Sequence, residues 1–298
     1  MAECVIIAIP TFRRPKMLLR LLKALADLQT DADIAVIVAD NDAEKREGFR
    51  LCNRMAAQYR WPLKAVMAPE RGIAQVRNRL VAEALTNPRV YFIAMIDDDE
   101  WPDPHWISHF LAVQKDTGAD ALQGSILFGD TAMPDIRRAT GHVAMLQGAG
   151  NLLLSARRLA GMTAPWFDPA FALSGGEDRD FFLRLQREGA RFAWADQARA
   201  YGDVPESRAN MGWSLKRAYS VGNSDMRALL KYHPGLATHL VEAAKIAAAL
   251  LLSLPLAVIL SPSPNRRLGP LTKIFRAAGK LTAMAGWRYN EYAVVHGE

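Results

Sequence analysis

Two kinds of apolar segment alternate along the first hundred residues, and this alternation constrains the fold more than any other feature. Short runs of aliphatic and β-branched residues are typical of buried strands. These runs are residues 5–9, 34–39, 63–67 and 90–96. Segments with helical spacing of apolar residues lie between them, over 15–28, 49–59 and 72–85. Such alternation predicts a mostly parallel, Rossmann-like α/β sheet with helices on both faces.

Four consecutive carboxylates follow the last of these strands. Asp97, Asp98, Asp99 and Glu100 come directly after the run 90–96, which we predict to be buried throughout. Like charges this close raise one another's pKa, and a divalent cation relieves the repulsion because hard cations prefer oxygen ligands. The alternative is a solvated loop that caps the helix beginning near His105. The position after a buried strand favours a metal and phosphate site.

Polar residues also end the neighbouring strands. Arg13 follows the first strand and Asp40 ends the second. Ligands of such sheets bind beyond the carboxyl ends of the strands, so these segments and the acidic cluster are predicted to meet at one edge. Two alternatives stay open: Asp40 as a helix cap, and Arg77 as a surface ion-pair partner.

The second half of the chain is less regular. Strands are predicted over 121–128, 141–146 and 150–154, with a short one over 192–194. An amphipathic helix is predicted after Gly175, Gly176, Glu177 and Asp178. The two cysteines, Cys4 and Cys52, provide no disulfide framework. The N-terminus lacks a basic stretch followed by an apolar core, so no secretory signal is expected.

The positive charge is concentrated in the C-terminal third. Residues 206–298 contain 12 Lys and Arg against 5 Asp and Glu, whereas the whole chain has a net charge of +6. The uncharged run 246–260 is shorter than the roughly 20 residues that span a bilayer. Pro255 is expected to interrupt it. A basic amphipathic helix is predicted to follow, with Arg266, Arg267, Lys273, Arg276 and Lys280. An anionic lipid surface is therefore the expected partner rather than nucleic acid, with ordinary helix packing as the alternative.

Five motifs, in order and at suitable spacing, resemble an inverting, family 2 (GT-A fold) glycosyltransferase. Within that group the chain looks closest to bacterial exopolysaccharide enzymes of the succinoglycan glucosyltransferase type, from Val5 to about Ser224. The motifs are Ile9-Pro10-Thr11-Phe12-Arg13-Arg14, Val38-Ala39-Asp40-Asn41-Asp42, Arg71-Gly72-Ile73-Ala74-Gln75-Val76-Arg77-Asn78, Ile96-Asp97-Asp98-Asp99-Glu100, and Gly175-Gly176-Glu177-Asp178-Arg179-Asp180-Phe181-Phe182-Leu183-Arg184. The Gln-x-x-Arg-Trp signature of processive synthases is absent, which favours addition of one sugar.

The resemblance implies a role for each matching position. Asp40 would bind the base, Asp97 would lie near the ribose beside Asp98, and Asp99 would coordinate Mn²⁺ or Mg²⁺ on the diphosphate. Arg208 or Arg217, in a basic and aromatic segment, would touch phosphate. The remaining positions expected along the nucleotide are Pro10, Thr11, Arg13, Arg71 and Asn78.

Asp178 is the candidate general base. A sugar hydroxyl is a poor nucleophile and needs a proton acceptor. Asp178 is expected in the first turn of a helix, where the dipole favours its carboxylate. The alternatives are a helix cap without a catalytic role, and Glu177 as the base in place of a substrate-binding residue.

The resemblance predicts a catalytic domain over residues 1–225 and a C-terminal helical, membrane-associating region over 226–298. It implies transfer of a hexose from a nucleotide diphosphate sugar, UDP-glucose as the first guess, to a lipid-linked saccharide acceptor. This would occur at the cytoplasmic face of the bacterial inner membrane. The alternatives are a sugar nucleotidyltransferase, for which residues 10–15 lack the expected glycines, and a membrane-attached scaffold without activity.

Overall fold

The computed structural model describes residues 3–129, 135–203 and 210–290. Nine strands of one sheet lie in these ranges. They are β1 (Cys4–Thr11), β2 (Asp33–Asp40), β3 (Leu63–Met67), β4 (Val90–Met95), β5 (Glu100–Pro102), β6 (Ala121–Leu127), β7 (Gly141–Val143), β8 (Leu152–Ser155) and β9 (Phe192–Gly202).

The helices of the described ranges alternate with the strands in the first half and follow one another at the end. They are α1 (Pro15–Ala26), α2 (Glu47–Met55), α3 (Ile73–Ala84), α4 (Trp106–Thr117), α5 (Ala156–Ala160), α6 (Glu177–Arg187), α7 (Met211–Tyr232), α8 (Leu236–Ile259) and α9 (Pro264–Met284).

The first four strands form the parallel half of the sheet, as predicted. The order β3-β2-β1-β4 is parallel at every pair. In the register, Thr11 lies opposite Asp40, so β1 and β2 end at the same level. The side chains of α1 that face the sheet are fully buried, each of them stabilising the fold by about 1.5–3 kcal/mol. These residues are Leu18, Leu21, Leu22 and Leu25.

The other half of the sheet is mixed, and parts of it depart from the prediction. β8 pairs antiparallel with β4 and β6, and β9 pairs parallel with β6. The strand predicted over 192–194 continues to Gly202, and β5, which pairs with it, was not predicted. At the start of β4, Tyr91 is 59% exposed, so the expectation of a strand buried throughout was wrong at that residue.

The described chain forms two compact units. The first contains residues 3–169 and 181–203, and the second contains 170–180 and 210–290. The chain passes from the second unit to the first within α6. The boundary predicted between residues 225 and 226 falls inside α7, and the division into a catalytic domain and a membrane-associating region stays a prediction.

Glycines bring two helices of the second unit into backbone contact. A Cβ atom on Gly222 of α7 would lie 2.1 Å from the Arg276 carbonyl oxygen, and one on Gly279 of α9 would lie 2.0 Å from that of Tyr219. α8 is held to α9 by Glu242, whose carboxylate accepts from the Lys280 ammonium at 2.7 Å. Substitution of either glycine by a larger residue would therefore separate α7 from α9.

α8 is longer than the sequence analysis indicated. It runs through Pro255 without a break from Leu236 to Ile259, so the expectation that Pro255 interrupts the segment was wrong. Its 24 residues make it the one helix of the described ranges that is long and apolar enough to cross a membrane, and only 17% of its most apolar stretch is buried.

Candidate active site

The polar ends of β1, β2 and β4 meet at one edge of the sheet, as predicted. The Thr11 hydroxyl donates to Asp98 Oδ2 at 2.8 Å, which joins the end of β1 to the segment after β4. The Asn41 N–H donates to the Thr11 carbonyl at 2.9 Å, which joins β1 to the segment after β2. Pro10 is buried directly before this junction. Residues from three separate motifs therefore form one polar cluster in the first unit.

Arginines neutralise part of the acidic cluster. The Arg14 guanidinium donates to Asp98 Oδ1 at 3.2 Å and to Asp99 Oδ2 at 3.0 Å. Arg77, which is 5% exposed, donates to Asp97 Oδ1 at 3.2 Å. The alternative of Arg77 as an ion-pair partner is therefore realised, although Arg77 is buried rather than on the surface and only Asp97 is partly exposed. Arg14 ends the first of the five motifs but has no predicted role of its own; it lies directly before the proline that begins α1.

Burial raises the pKa of the two buried carboxyls of the cluster, Asp98 and Glu100. Burial raises the pKa of Asp98 to about 7, and the Arg14 charge opposes that rise. Burial, followed by the charges of Asp97 and Asp99, raises the pKa of Glu100 well above its ordinary value. Glu100 Oε2 is buried and accepts no hydrogen bond from the described residues. Asp97 and Asp99 are the more accessible pair, with 35% and 19% of their side chains exposed.

Gly150 makes room for these carboxylates. A Cβ atom at this position would lie 2.9 Å from Glu100 Oε1 and 3.5 Å from Asp97 Oδ2. The close approach explains why a residue without a side chain occurs at the start of the segment before β8.

The end of β2 is ordered by buried hydrogen bonds. Asp40, which is 1% exposed, accepts from the N–H groups of Asp42 and Phe49, each at 2.9 Å. Burial raises the pKa of Asp40 despite these bonds. The contact with Phe49 lies at the start of α2, so the helix-capping alternative has structural support. The base-binding role stays a prediction.

Arg13 lies at this edge but is paired with carboxylates of the chain. It donates to Asp42 Oδ2 and to Glu44 Oε2, both at 2.9 Å. Burial alone would raise the pKa of Asp42, but the Arg13 guanidinium holds it below its usual value. The guanidinium groups of Arg13 and Arg71 lie 5.1 Å and 5.4 Å from the ring centre of Phe12. Two of the cations predicted to line the nucleotide, Arg13 and Arg71, therefore both lie beside the Phe12 ring.

Two asparagines play structural roles here. Asn41 donates to the carbonyls of Ala68 and Glu70, both at 2.7 Å, and accepts from the Gly72 N–H at 2.9 Å. It therefore shapes the loop before α3, a function that the sequence analysis missed. Asn78 donates to the Phe167 carbonyl at 2.7 Å and accepts from its N–H at 2.9 Å. Its predicted contact with nucleotide would have to use the second N–H or the second lone pair of the same amide.

The candidate base lies in the second unit, at the start of α6. Gly176 precedes the helix with φ of 89°, a conformation that favours glycine. Asp178 is in the first turn, as predicted, and its carboxylate accepts from the Arg179 N–H at 2.7 Å. Asp178 is partly exposed, whereas Glu177 is 3% exposed, so Asp178 is the more accessible of the two carboxylates. Arg208 lies outside the described residues, whereas Arg217 lies on α7.

The donor atoms of the first unit fit a divalent cation of the Mg²⁺ or Mn²⁺ type. In the described ranges no three His, Cys, Asp or Glu side chains are grouped as a metal cage. Mg²⁺ is ordinarily bound through one or two carboxylates together with substrate phosphates, so such a cage is not required. Asp99 is partly exposed and presents hard oxygen donors. A cation bound there would compete with Arg14.

Comparisons with known proteins agree with this arrangement. Residues 6–166 match the model of Glycosyl transferase family 2, so the chain belongs to that family. It is 31% identical over 243 residues to the succinoglycan biosynthesis protein ExoM of Rhizobium meliloti (strain 1021), covering 77% of this chain and 76% of that protein. It is 26% identical over 256 residues to the chondroitin synthase of Escherichia coli, covering 68% of this chain and 35% of that protein.

Solved structures with a similar fold are GT-A-like glycosyltransferases. Staphylococcus aureus TarS 1-349 in complex with UDP superposes with a TM-score of 0.55 at 16% identity, covering 97% of this chain and 93% of that one. The mannosyltransferase PcManGT of Pyrobaculum calidifontis, in complex with GDP-Man and Mn²⁺, gives 0.64 at 16% identity, covering 95% and 88%. The predicted fold class is therefore confirmed, and the family places the chain among glycosyltransferases rather than nucleotidyltransferases.

Proposed function

We propose that this chain is a metal-dependent, inverting hexosyltransferase that moves one sugar, glucose from UDP-glucose, to a lipid-linked saccharide acceptor. The observation that carries the proposal is the meeting of Thr11, Asp40 and Asp97–Asp99 at one sheet edge in a member of this family. The similarity to a protein named for succinoglycan biosynthesis favours a role in bacterial surface or exopolysaccharide synthesis.

Residues of the first unit would bind the donor. Asp40 would accept from the base, Asp97 would contact the ribose, and the cations beside Phe12 would approach the phosphates. A guanidinium is suited to this task because it binds phosphate oxygens in a bidentate manner. Asp99, with Asp98 buried behind it, would hold the divalent cation, which when bound stabilises charge on the nucleotide diphosphate leaving group.

Asp178 would remove the proton from the acceptor hydroxyl. Its carboxylate is partly exposed at the N-terminus of α6, where the helix dipole favours a negative charge. Glu177 is nearly buried and is assigned to acceptor binding. Because the proposal assigns one base and assigns no carboxylate as a nucleophile, the proposed reaction is a single displacement at the anomeric carbon.

A screen of nucleotide sugars tests the proposal directly. The chain is incubated with Mn²⁺, with each candidate donor, and with membranes of a strain that lacks it as the source of acceptor. We expect nucleotide release from UDP-glucose above that from other donors, and loss of release in EDTA. A scaffold without activity would bind no nucleotide with or without Mn²⁺, and that result would refute the proposal.

The stereochemistry of the product provides a second test. Single displacement inverts the anomeric centre, so an α-linked donor should give a β-linked product. The coupling constant of the anomeric proton, measured by NMR on the isolated product, distinguishes the two anomers. An α-linked product would exclude the mechanism while leaving the donor assignment intact.

The C-terminal helices are proposed to hold the enzyme on an anionic membrane surface, at the cytoplasmic face. The C-terminal half of α8 exposes large apolar side chains, among them Leu251, Leu252 and Val258, each at least 72% exposed. In α9, Arg276 and Lys280 are already paired with Asp225 and Glu242. Attraction to lipid would therefore come mainly from the remaining basic residues of α9, which are Arg266, Arg267 and Lys273.

Substitution of the apolar face tests this attachment better than truncation, because α9 packs on α7. Replacing Leu251, Leu252 and Val258 together with Gln should weaken binding to vesicles of phosphatidylglycerol and phosphatidylethanolamine by at least about 10²-fold, since each buried side chain contributes about 1.5–3 kcal/mol. Cosedimentation measures the change, and Tyr91→Gln, at an exposed apolar residue of the first unit, is the control. Equal sedimentation of the triple variant and the native chain would show that α8 does not bind lipid.

A further inference from the structure

One face of α7 holds the base loop, which comprises residues 174–180. These residues are the turn before α6 and the first turn of that helix, with Asp178. The Lys231 ammonium donates to Asp180 Oδ1 at 2.7 Å. The Arg227 guanidinium donates to Ser174 Oγ at 2.7 Å and to the Ala170 carbonyl at 3.1 Å. All of these residues belong to the second unit. Asp180 and Ser174 flank Asp178 on its two sides, so the two cations hold the segment both before and after the proposed base.

A third contact shows that the loop lies directly on the helix. A Cβ atom on Gly176 would be 2.6 Å from Cβ of Ser224. Ser224, Arg227 and Lys231 are spaced by three and four residues, which places them on one face of α7. Residues two positions before and two positions after Asp178 thus rest on the same helical face.

The cations lie in an environment that makes their contacts strong. The side chain of Asp180 is fully buried and Ser174 is 3% exposed. The guanidinium of Arg227 lies 4.7 Å from the ring centre of Phe171, and the Lys231 ammonium lies 5.9 Å from it. A buried carboxylate that loses its cation is strongly unfavourable, so the loop would rearrange if Lys231 were removed.

We propose that Lys231 and Arg227 are positioning residues of the transferase, which act by fixing the carboxylate of Asp178 for proton transfer. The inference rests on the proposed function, in which Asp178 is the base. Catalysis by a base depends steeply on its placement, and a displacement of about 1 Å costs roughly 10²-fold in rate. Lys231 lies at the end of α7, directly before the link to α8, so the same helix joins the base loop to the apolar tail.

A double-mutant cycle tests whether Lys231 acts through Asp178. Lys231→Met should lower kcat roughly 10–10²-fold and leave the Kd for UDP unchanged. The conservative variant Lys231→Arg should retain most of the native rate. In an Asp178→Asn background, Lys231→Met should cause little further loss. The assay is transfer from UDP-glucose to membranes of a strain lacking the chain. Lys64→Met, which removes a lysine from the buried Glu83 of the first unit, is the matched control.

The outcomes separate this proposal from the proposed function. If Lys231→Met lowers the rate equally with and without Asp178→Asn, the lysine acts on the fold and the positioning role is refuted. If Asp178→Asn is slow but Lys231→Met is normal, only the positioning role falls. If Asp178→Asn turns over normally, the base assignment falls and takes this proposal with it. Should Lys231→Met fail to fold, Arg227→Gln carries the same cycle with the same criteria.

Discussion

Replacing Asp99 with Ala is expected to abolish metal-dependent transfer, a loss of roughly 10³-fold or more, while leaving the fold intact. A divalent cation contributes several kcal/mol to stabilising the leaving diphosphate, and Asp99 is the proposed protein ligand. The fold should tolerate the change because Arg14 retains Asp98 as a partner at 3.2 Å. Initial rates at saturating Mn²⁺ measure the activity, and electron paramagnetic resonance of Mn²⁺ measures binding of the metal directly.

Asp116→Ala is the control, since Asp116 is an exposed carboxylate on α4. It should match the native chain in rate and in Mn²⁺ binding. Native activity in EDTA, or unchanged Mn²⁺ binding by the Asp99 variant in the presence of UDP, would contradict the assignment. A variant with lowered thermal stability but normal metal binding would point to a structural role for the Arg14–Asp99 pair.

The local pattern of the sequence predicts well which strand ends meet in the first unit. Strands near 5–9, 34–39 and 90–96 are short apolar runs whose periodicity is independent of the rest of the chain. Once they are parallel neighbours, the residues after them must meet at one edge. This is why the contact between Thr11 and Asp98, 87 positions apart, follows a prediction made from segments of fewer than ten residues.

Contacts that do not follow from the parallel order of the strands could not be predicted in the same way. The neutralisation of Asp98 and Asp99 by Arg14 depends on how α1 begins, and a metal alone was expected to relieve the acidic cluster. β5 is three residues long and exists because β9 extends beyond the predicted strand to pair with it. Likewise, α8 continues through Pro255, which no composition rule anticipates. In the first two cases a tertiary partner stabilises what local propensity does not, whereas the C-terminal half of α8 is largely exposed.

The residues proposed to bind the donor and the residue proposed as the base belong to different compact units. The residues proposed to bind the donor lie in the first unit, whereas the loop with Asp178 and the apolar α8 lie in the second. The acceptor is proposed to be lipid-linked, so the structure that holds the base also carries the surface proposed to bind lipid.

Replacing Asp178 with Asn is expected to lower kcat by roughly 10²–10⁴-fold with little change in donor affinity. Asn has nearly the same shape and keeps the contact with the Arg179 N–H through its carbonyl oxygen, but it is a poor proton acceptor. Single-turnover transfer measures the chemical step, and titration with UDP measures donor binding. Glu177→Gln is the comparison, because Glu177 is its nearly buried neighbour in the same turn.

The pair of variants decides which carboxylate is the base. A slow Asp178→Asn with a Glu177→Gln that keeps its kcat, whatever its acceptor KM, supports the assignment. The reverse pattern would transfer the role to Glu177, and would require its side chain, 3% exposed here, to become accessible when acceptor binds. If both variants turn over normally, α6 carries no base and Asp178 is a helix-terminal carboxylate favoured only by the dipole.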